Sequence, residues 1–397
     1  MCLFLYKFII VSQSNDMKNI FNKIKEFFRS INKKWKKRYY PIISSLFLTF
    51  LISILIICLT PSTKDLSTIQ PDTSESGWPK QIIAPYTDMT GWVSLDNEYS
   101  YNGVTNLGKI MDDTNIKYFN LGFINPSTTK PFNNDGSINW CWGGYNELSE
   151  KNNDGFQYEG IKHAINSVRD KGGDICISIG GQVGKAPWVI SQDVQKLTNM
   201  YLDIINTYNL KRMDLDIEES NQDSHQNIIN AQAIKAVQDQ TGIEITLTIP
   251  IMPSGWEDKQ IKILHAYIGQ DVDISLINSM TMCYGGGLLS GEDYGSASVR
   301  AIENCVNQLI ELYAYYGKSL TKEQAYLMTG ATVDIGYESS LYPIFTTDMT
   351  KKVVDHAKKN RYGMISYWSI NRDAKIESNT GVNNKFDFIK ELKKFNK

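Results

Sequence analysis

The chain has 397 residues, 42% hydrophobic and 21% charged, enough for a sizeable core and without the bias of a disordered or fibrous protein. Its net charge of −2 conceals a basic head, ten Lys/Arg against Asp16 and Glu26 in residues 1–38, and an acidic remainder. An acidic body argues against nucleic acid as a partner, because phosphate binding needs a basic face.

The first predicted element is the uncharged run Ile42–Leu59. As a helix it would extend roughly 27 Å, close to the hydrocarbon thickness of a bilayer, so it is expected to be a single transmembrane helix. Lys33, Lys34, Lys36, Lys37 and Arg38 precede it and only Lys64 soon follows. That bias keeps the N-terminus in the cytoplasm and predicts a single-pass cell-membrane protein with its large part outside. A cleaved signal peptide fits less well, since the run is long and no A-x-A-like site follows. Residues 1–41 then form a basic cytoplasmic segment, within which Met17 is a candidate start. Residues 42–59 form the span, 60–80 a Ser/Thr/Pro-rich extracellular linker, and 81–397 the catalytic domain.

From Gln81 short apolar runs alternate with amphipathic stretches, the pattern of βα units around a parallel sheet. Strands are predicted at Gln81–Tyr86, Tyr118–Ile124, Asp174–Gly180, Arg212–Glu218, Glu244–Pro250, Ile277–Tyr284, Leu327–Val333 and Tyr362–Trp368. Helices are predicted at Tyr158–Lys171, Gln192–Tyr208, Gln226–Thr241, Ala297–Tyr316, Thr347–Asn360 and Lys385–Phe395. This is an α/β chain of the length of a (β/α)8 TIM barrel. A doubly wound sheet would need a G-x-G-x-x-G turn after the first strand, and Tyr86–Trp92 has none.

The fourth strand reads Arg-Met-Asp-Leu-Asp-Ile-Glu. Alternation puts Asp214, Asp216 and Glu218 on one face and Leu215 and Ile217 on the other, where helices cover a barrel strand. Stacked carboxylates in a poorly solvated site raise at least one pKa, and Glu218, nearest the C-terminal rim, is placed to hold a proton for a leaving group. Trp92, Trp140, Trp142, Trp188, Trp256 and Trp368 all fall at or beyond the C-terminal ends of predicted strands. Pyranose rings pack their C–H faces on aromatics, so this placement predicts a sugar-binding groove. The four histidines have no metal-ligand spacing, and no G-x-S-x-G nucleophile elbow exists, so neither a metal nor a cofactor is expected. Cys141, Cys176, Cys283 and Cys305 match no zinc pattern, and their pairing is left open.

Over nearly all of residues 81–397 the sequence resembles glycoside hydrolase family 18, the chitinases and endo-β-N-acetylglucosaminidases. The resemblance rests on D-x-D-x-E at Asp214, Asp216 and Glu218, and on S-x-G-G at Ser178, Gly180 and Gly181. It also rests on Met280-Thr281-Met282-Cys283-Tyr284 and on Trp368 in the eighth strand. A bacterial and archaeal chitinase-like branch is similar at Ala84-Pro85-Tyr86 and Trp142-Gly143-Gly144 as well. Two positions depart from the pattern: Lys211 and Arg212 replace Asp-Gly ahead of the acids, and Cys283 stands where that branch tends to carry Asp.

The resemblance implies hydrolysis of β-1,4 bonds in N-acetylglucosamine-containing glycans such as chitin, by a substrate-assisted retaining mechanism. Glu218 would be the general acid, Asp216 would orient the acetamide and Asp214 would tune Asp216. Tyr284 would donate to the acetamide oxygen. Trp368 would floor the sugar, with Tyr86, Ser178, Gly180, Gly181, Met282 and Trp142 around it. Peptidoglycan or the core of N-glycans are alternative substrates, and a non-hydrolytic glycan-binding lectin is the alternative from another class. Retention of Glu218 and Asp216 argues against the lectin.

Overall fold

The structure, a computed structural model, describes residues 78–152, 154–377 and 380–396, all within one compact unit, Ser67–Lys397. The expected transmembrane helix at 42–59, the segment 1–41 and most of the linker lie outside the described residues. Among the described residues no helix is long and apolar enough to cross a membrane. That finding stands against the expectation of a single-pass cell-membrane protein, and the membrane as a partner is not supported by any described helix. The longest described helix, Tyr294–Tyr315, buries one face and carries Arg300, Glu303 and Glu311 on the remainder, the pattern of a helix lying on a sheet.

Strands β1 (Ile82–Ile83) and β2 (Tyr86–Asp88) are two pieces of one barrel strand, followed by the hairpin β3 (Ser100–Tyr101) and β4 (Val104–Thr105). Next come β5 (Tyr118–Pro126), its antiparallel partner β6 (Trp140–Trp142), β7 (Asp174–Gly180) and β8 (Arg212–Asp216). The series ends with β9 (Glu244–Pro250), β10 (Ile274–Thr281), β11 (Thr329–Asp334) and β12 (Met364–Trp368). Parallel pairing runs β2, β5, β7, β8, β9, β10, β11, β12 and on to β1. β1 registers Ile82 with Met364, while β2 registers Tyr86 with Asn120. Between them Pro85 has no N–H to give, but its carbonyl accepts from Asn120 N at 3.0 Å, so pairing passes from the last strand to the second. The result is a parallel-strand, TIM-like (β/α)8 arrangement.

The strands carry Ile, Val and Leu toward the helices. Leu215, Ile217, Leu247, Ile177 and Ile179 are fully buried there, against helix faces such as Ile161, Ile165 and Val168. Helix starts are fixed by Asp193, Asp223 and Asp293, whose carboxylates accept from the backbone N–H groups of the first turn. At Leu327 the structure differs from the expected strand. Thr321 and Gln324 form a capping box that starts a helix over Lys322–Leu327, and the strand begins at Thr329.

At the N-terminal end of the barrel the departure at Arg212 finds its physical reason. Its guanidinium donates to Glu244 Oε2 at 2.6 and 2.8 Å across the β8–β9 pair, and lies 4.9 Å from the ring centre of Trp78. Trp78 Nε1 in turn donates to Asp174 at 3.0 Å. This is an ion pair under an aromatic lid, at the end of the strand opposite the acids.

Candidate active site

Strand β8 delivers its alternate side chains to the barrel interior. Asp214 is fully buried and Asp216 is 4% exposed, while Glu218, just past the strand end, is half-buried. Asp214 is held by neutral hydroxyls from the two neighbouring strands, β7 and β9, and from β2 across the barrel interior. Ser178 Oγ and Tyr86 OH donate to its Oδ2 at 2.6 and 2.9 Å, and Thr248 Oγ1 donates to Oδ1 at 2.7 Å. Asn278 Nδ2 braces Tyr86 OH and Thr248 Oγ1 at 3.2 and 3.0 Å, and its own Oδ1 accepts from Thr332 at 2.8 Å. Burial pushes the Asp214 carboxyl up to about 6, against the pull of these donors.

Above it, Asp216 Oδ1 is buried with no hydrogen-bond partner. Burial, then the charges of Glu218 and Asp214, raise its pKa well above the ordinary carboxylate range, and it hydrogen-bonds to Glu218. Burial, then Glu219, pushes Glu218 up to about 7. Two neighbouring carboxyls with little solvent titrate as a pair, and the charge of either one disfavours ionisation of the other.

Because these folded-state values lie above those of an unfolded chain, the folded protein binds extra protons between the ordinary carboxyl range and about pH 7. Stability is therefore expected to fall as pH rises through that window, and Tm should be higher at pH 5 than at pH 7.5. The drop should shrink in Asp216→Asn. A Tm that rose over the same interval would contradict protonation of the buried acids.

Gly180 and Gly181 let the ends of β7 and β8 close together. At Gly180 φ is +113° and a Cβ would stand 2.1 Å from the Asp216 carbonyl oxygen, which instead accepts from Gly181 N at 3.0 Å. Trp368, half-buried at the end of β12, stacks on Phe123 at 5.7 Å between ring centres and lies 6.4 Å from Tyr86. One wall thus carries acids and the other an aromatic face.

Two expected site residues, Tyr284 and Trp142, lie elsewhere. Strand β10 ends at Thr281, and Cys283 adopts φ +51°, so the alternation that would aim Tyr284 inward is broken. Tyr284 is 2% exposed, and its hydroxyl meets Ser298 on the covering helix at 3.2 Å. It is not available to an acetamide. Trp142 is fully buried with its indole N–H on Tyr208 OH at 2.9 Å, leaving no face for a sugar. Met282 is half-buried beside Cys283, past the end of the strand. Of the other tryptophans, Trp140, Trp188 and Trp256 are buried, and Trp92 is 59% exposed.

The sequence reading missed the wall at β11. Asp334, 7% exposed and in register with Trp368, pairs with Arg372, which also reaches Glu338 and, at 3.5 Å, Glu377. Cys283 Sγ donates to Asp334 Oδ2 at 3.6 Å. Burial pushes the Asp334 carboxyl up to about 7 against the pull of Arg372. Its signal was present, because Thr332 and Asp334 alternate onto the inner face. Cys141, Cys176, Cys283 and Cys305 are free thiols. Among the described residues no group of three or more His, Cys, Asp or Glu is gathered to hold a metal.

No family model matches the chain. A probable bifunctional chitinase/lysozyme of Escherichia coli (strain K12) is 29% identical over 317 residues, covering 76% of this chain and 32% of that protein. Endochitinase 11 of Metarhizium anisopliae is 28% identical over 314 residues, covering 76% of this chain and 54% of its own length. The catalytic domain of a hyperthermophilic chitinase from Pyrococcus furiosus superposes with a TM-score of 0.64 at 24% identity, over 80% of this chain and 95% of that one. Over about three quarters of its length the chain is thus similar to chitinases. This chitinase-like chain spans about a third and about half of the two curated relatives. The solved structure establishes its fold.

Proposed function

We propose that this chitinase-like protein hydrolyses β-1,4 bonds in N-acetylglucosamine polymers, chitin or its oligosaccharides, by substrate-assisted retention. The observation that carries the reading is the buried carboxyl stack at the barrel mouth, Asp216 and Glu218 with raised pKa values above a fully hydrogen-bonded Asp214, with the ring of Trp368 at the end of β12. A sugar seated on Trp368 places its acetamide toward Asp216. The acetamide N–H donates to Asp216, and a donor to the carboxylate favours its charged form. A proton held by the pair is then on Glu218, where the leaving oxygen needs it. The acetamide oxygen attacks the anomeric carbon as the glycosidic bond breaks, and Glu218 gives its proton to the departing oxygen. The resulting oxazolinium is balanced by Asp216. Water, deprotonated by Glu218, then opens the ring to the product with retained configuration.

The test is incubation of the protein with chitin oligosaccharides, peptidoglycan and a high-mannose glycopeptide, with mass analysis of the products. The peptidoglycan arm is included because the Escherichia coli relative is named as a chitinase/lysozyme. Cleavage is expected to require an N-acetyl group on the sugar whose bond breaks. A fully deacetylated oligomer cut as fast as the acetylated one would overturn the substrate-assisted step, while leaving hydrolysis itself standing.

A further inference from the structure

Glu218 lies beyond the last residue of β8, so the sheet ladder alone does not fix its carboxyl. The chain instead turns at once. Glu219 is left-handed, with φ +41°, and opens a single 3-10 turn, Glu219–Gln222. A non-glycine residue in that region is strained, and it persists only where its surroundings over-determine it.

The surroundings here are polar and buried. Asn221, 1% exposed, accepts from Ala186 N through Oδ1 at 3.0 Å and donates from Nδ2 to the carbonyl of Gly181 at 3.2 Å. Its own carbonyl accepts from Trp188 Nε1 at 2.9 Å and from Asn227 Nδ2 at 2.8 Å, and its N–H donates to the carbonyl of Glu218 at 2.7 Å. Asn227 stands on helix Ser224–Thr241, where its Oδ1 accepts from Tyr267 OH at 3.2 Å. Gln222, at the end of the turn, accepts from Gln260 Nε2 at 2.7 Å.

Gly181 therefore grips this segment twice. Its N–H donates to the carbonyl of Asp216 at 3.0 Å, before Glu218, and its carbonyl accepts from Asn221, after it. The acid is carried on the short span between those two anchors. Filling the space would not need an amide, since an apolar side chain does that without the cost of burying polar atoms. An amide bonded at both ends to backbone groups fixes direction as well as volume.

We propose that Asn221 is a positioning residue for the proton transfer: by bolting the turn after Glu218 to the loop after β7, it holds the Glu218 carboxyl on line with the leaving oxygen. The inference rests on the proposed function, in which Glu218 is the acid, and adds what keeps that acid aimed. The experiment compares kcat/KM of the full chain on two substrates. One is a chitin oligosaccharide, whose leaving sugar must be protonated as it departs. The other is a 4-nitrophenyl chito-oligosaccharide cut at the aryl bond, whose leaving phenolate needs no proton. Asn221→Ala is expected to lower kcat/KM at least about tenfold on the first and to stay within about threefold on the second. A general loosening of the site would lower both by the same factor.

Asn227→Leu is the second variant, because the groups it releases keep other bonds. Tyr267 OH still accepts from Asn230 at 2.7 Å, and the Asn221 carbonyl still accepts from Trp188. It should separate the two substrates in the same sense by a smaller factor, and it decides the matter if circular dichroism shows Asn221→Ala to be unfolded. A ratio of the two kcat/KM values within about twofold of the parent's in the deciding variant would overturn the positioning role and leave the proposed hydrolysis standing. A parent that cleaves neither substrate would overturn both.

Discussion

Glu218→Gln is expected to lower turnover on an unactivated oligosaccharide by at least about 10²–10⁴, the usual worth of general-acid assistance, while sugar binding and Tm stay close to those of the parent. The amide keeps the shape of the side chain and can still hydrogen-bond to Asp216, but it has no acidic proton to give. Asp216→Asn should also be severe for a separate reason. It removes the charge that balances the oxazolinium and the acceptor that orients the acetamide, so turnover falls far more than affinity. Asp112→Asn serves as the control, because Asp112 is an exposed partner of Lys171 on helix Leu107–Thr114, away from the strand ends. Initial rates by product chromatography decide the matter. Retention of more than a tenth of parental turnover in Glu218→Gln would remove Glu218 as the acid.

Arg212→Met should cost about 3–5 kcal/mol of stability, the usual penalty for removing one member of a buried ion pair. Glu244, 7% exposed, would keep its burial and lose the guanidinium that bonds it, and Trp78 would lose its stacked cation. The double variant Arg212→Met with Glu244→Leu should recover most of that loss, since apolar residues of similar volume replace buried pairs with little penalty. Urea melts at pH 7 measure both. A cost below about 1 kcal/mol for the single variant, or no recovery in the double one, would mean that the pair contributes no net coupling.

The acids and the barrel were legible for the same reason. A central strand with period 2 makes Asp214, Asp216 and Glu218 coplanar with the interior and Leu215 and Ile217 coplanar with the helices, and no long-range information is needed. What failed lay where periodicity stops. Alternation was extended through Tyr284, but the chain leaves β10 at Thr281 and the left-handed Cys283 turns the next side chain to the helix layer. Tryptophans near strand ends were read as a sugar groove, although an indole in a rim loop can equally close the core. Trp142 and Trp188 found hydrogen-bond partners inside, in Tyr208 and Asn221, and Trp140 packs inward with its indole N–H on the exposed Asp203. Sequence spacing does not say which face of a loop turns inward. The Asp334–Arg372 wall joins the end of β11 to the short helix Ile370–Asp373, with 38 residues between the partners, and had only half its pattern in any one window. The apolar run at 42–59 was read from hydropathy alone, which measures how a segment would fare in lipid and is silent on the described fold.

The divided first strand sets the order in which this molecule can be completed on the ribosome. Ile82 and Ile83 have their ladder partners at Met364 and Ile365, whereas Tyr86, a few residues on, meets Asn120 early in the chain. One half of the seam can zip while synthesis is young; the other must wait until nearly the whole polypeptide has emerged. Until then the nascent sheet has two open edges, β1 on one side and the most recently made strand on the other, and open edges recruit other chains. Closure over so large a sequence separation is slow. Translation that stalls before Met364 would therefore leave an unclosed sheet prone to aggregate, not a smaller version of the barrel.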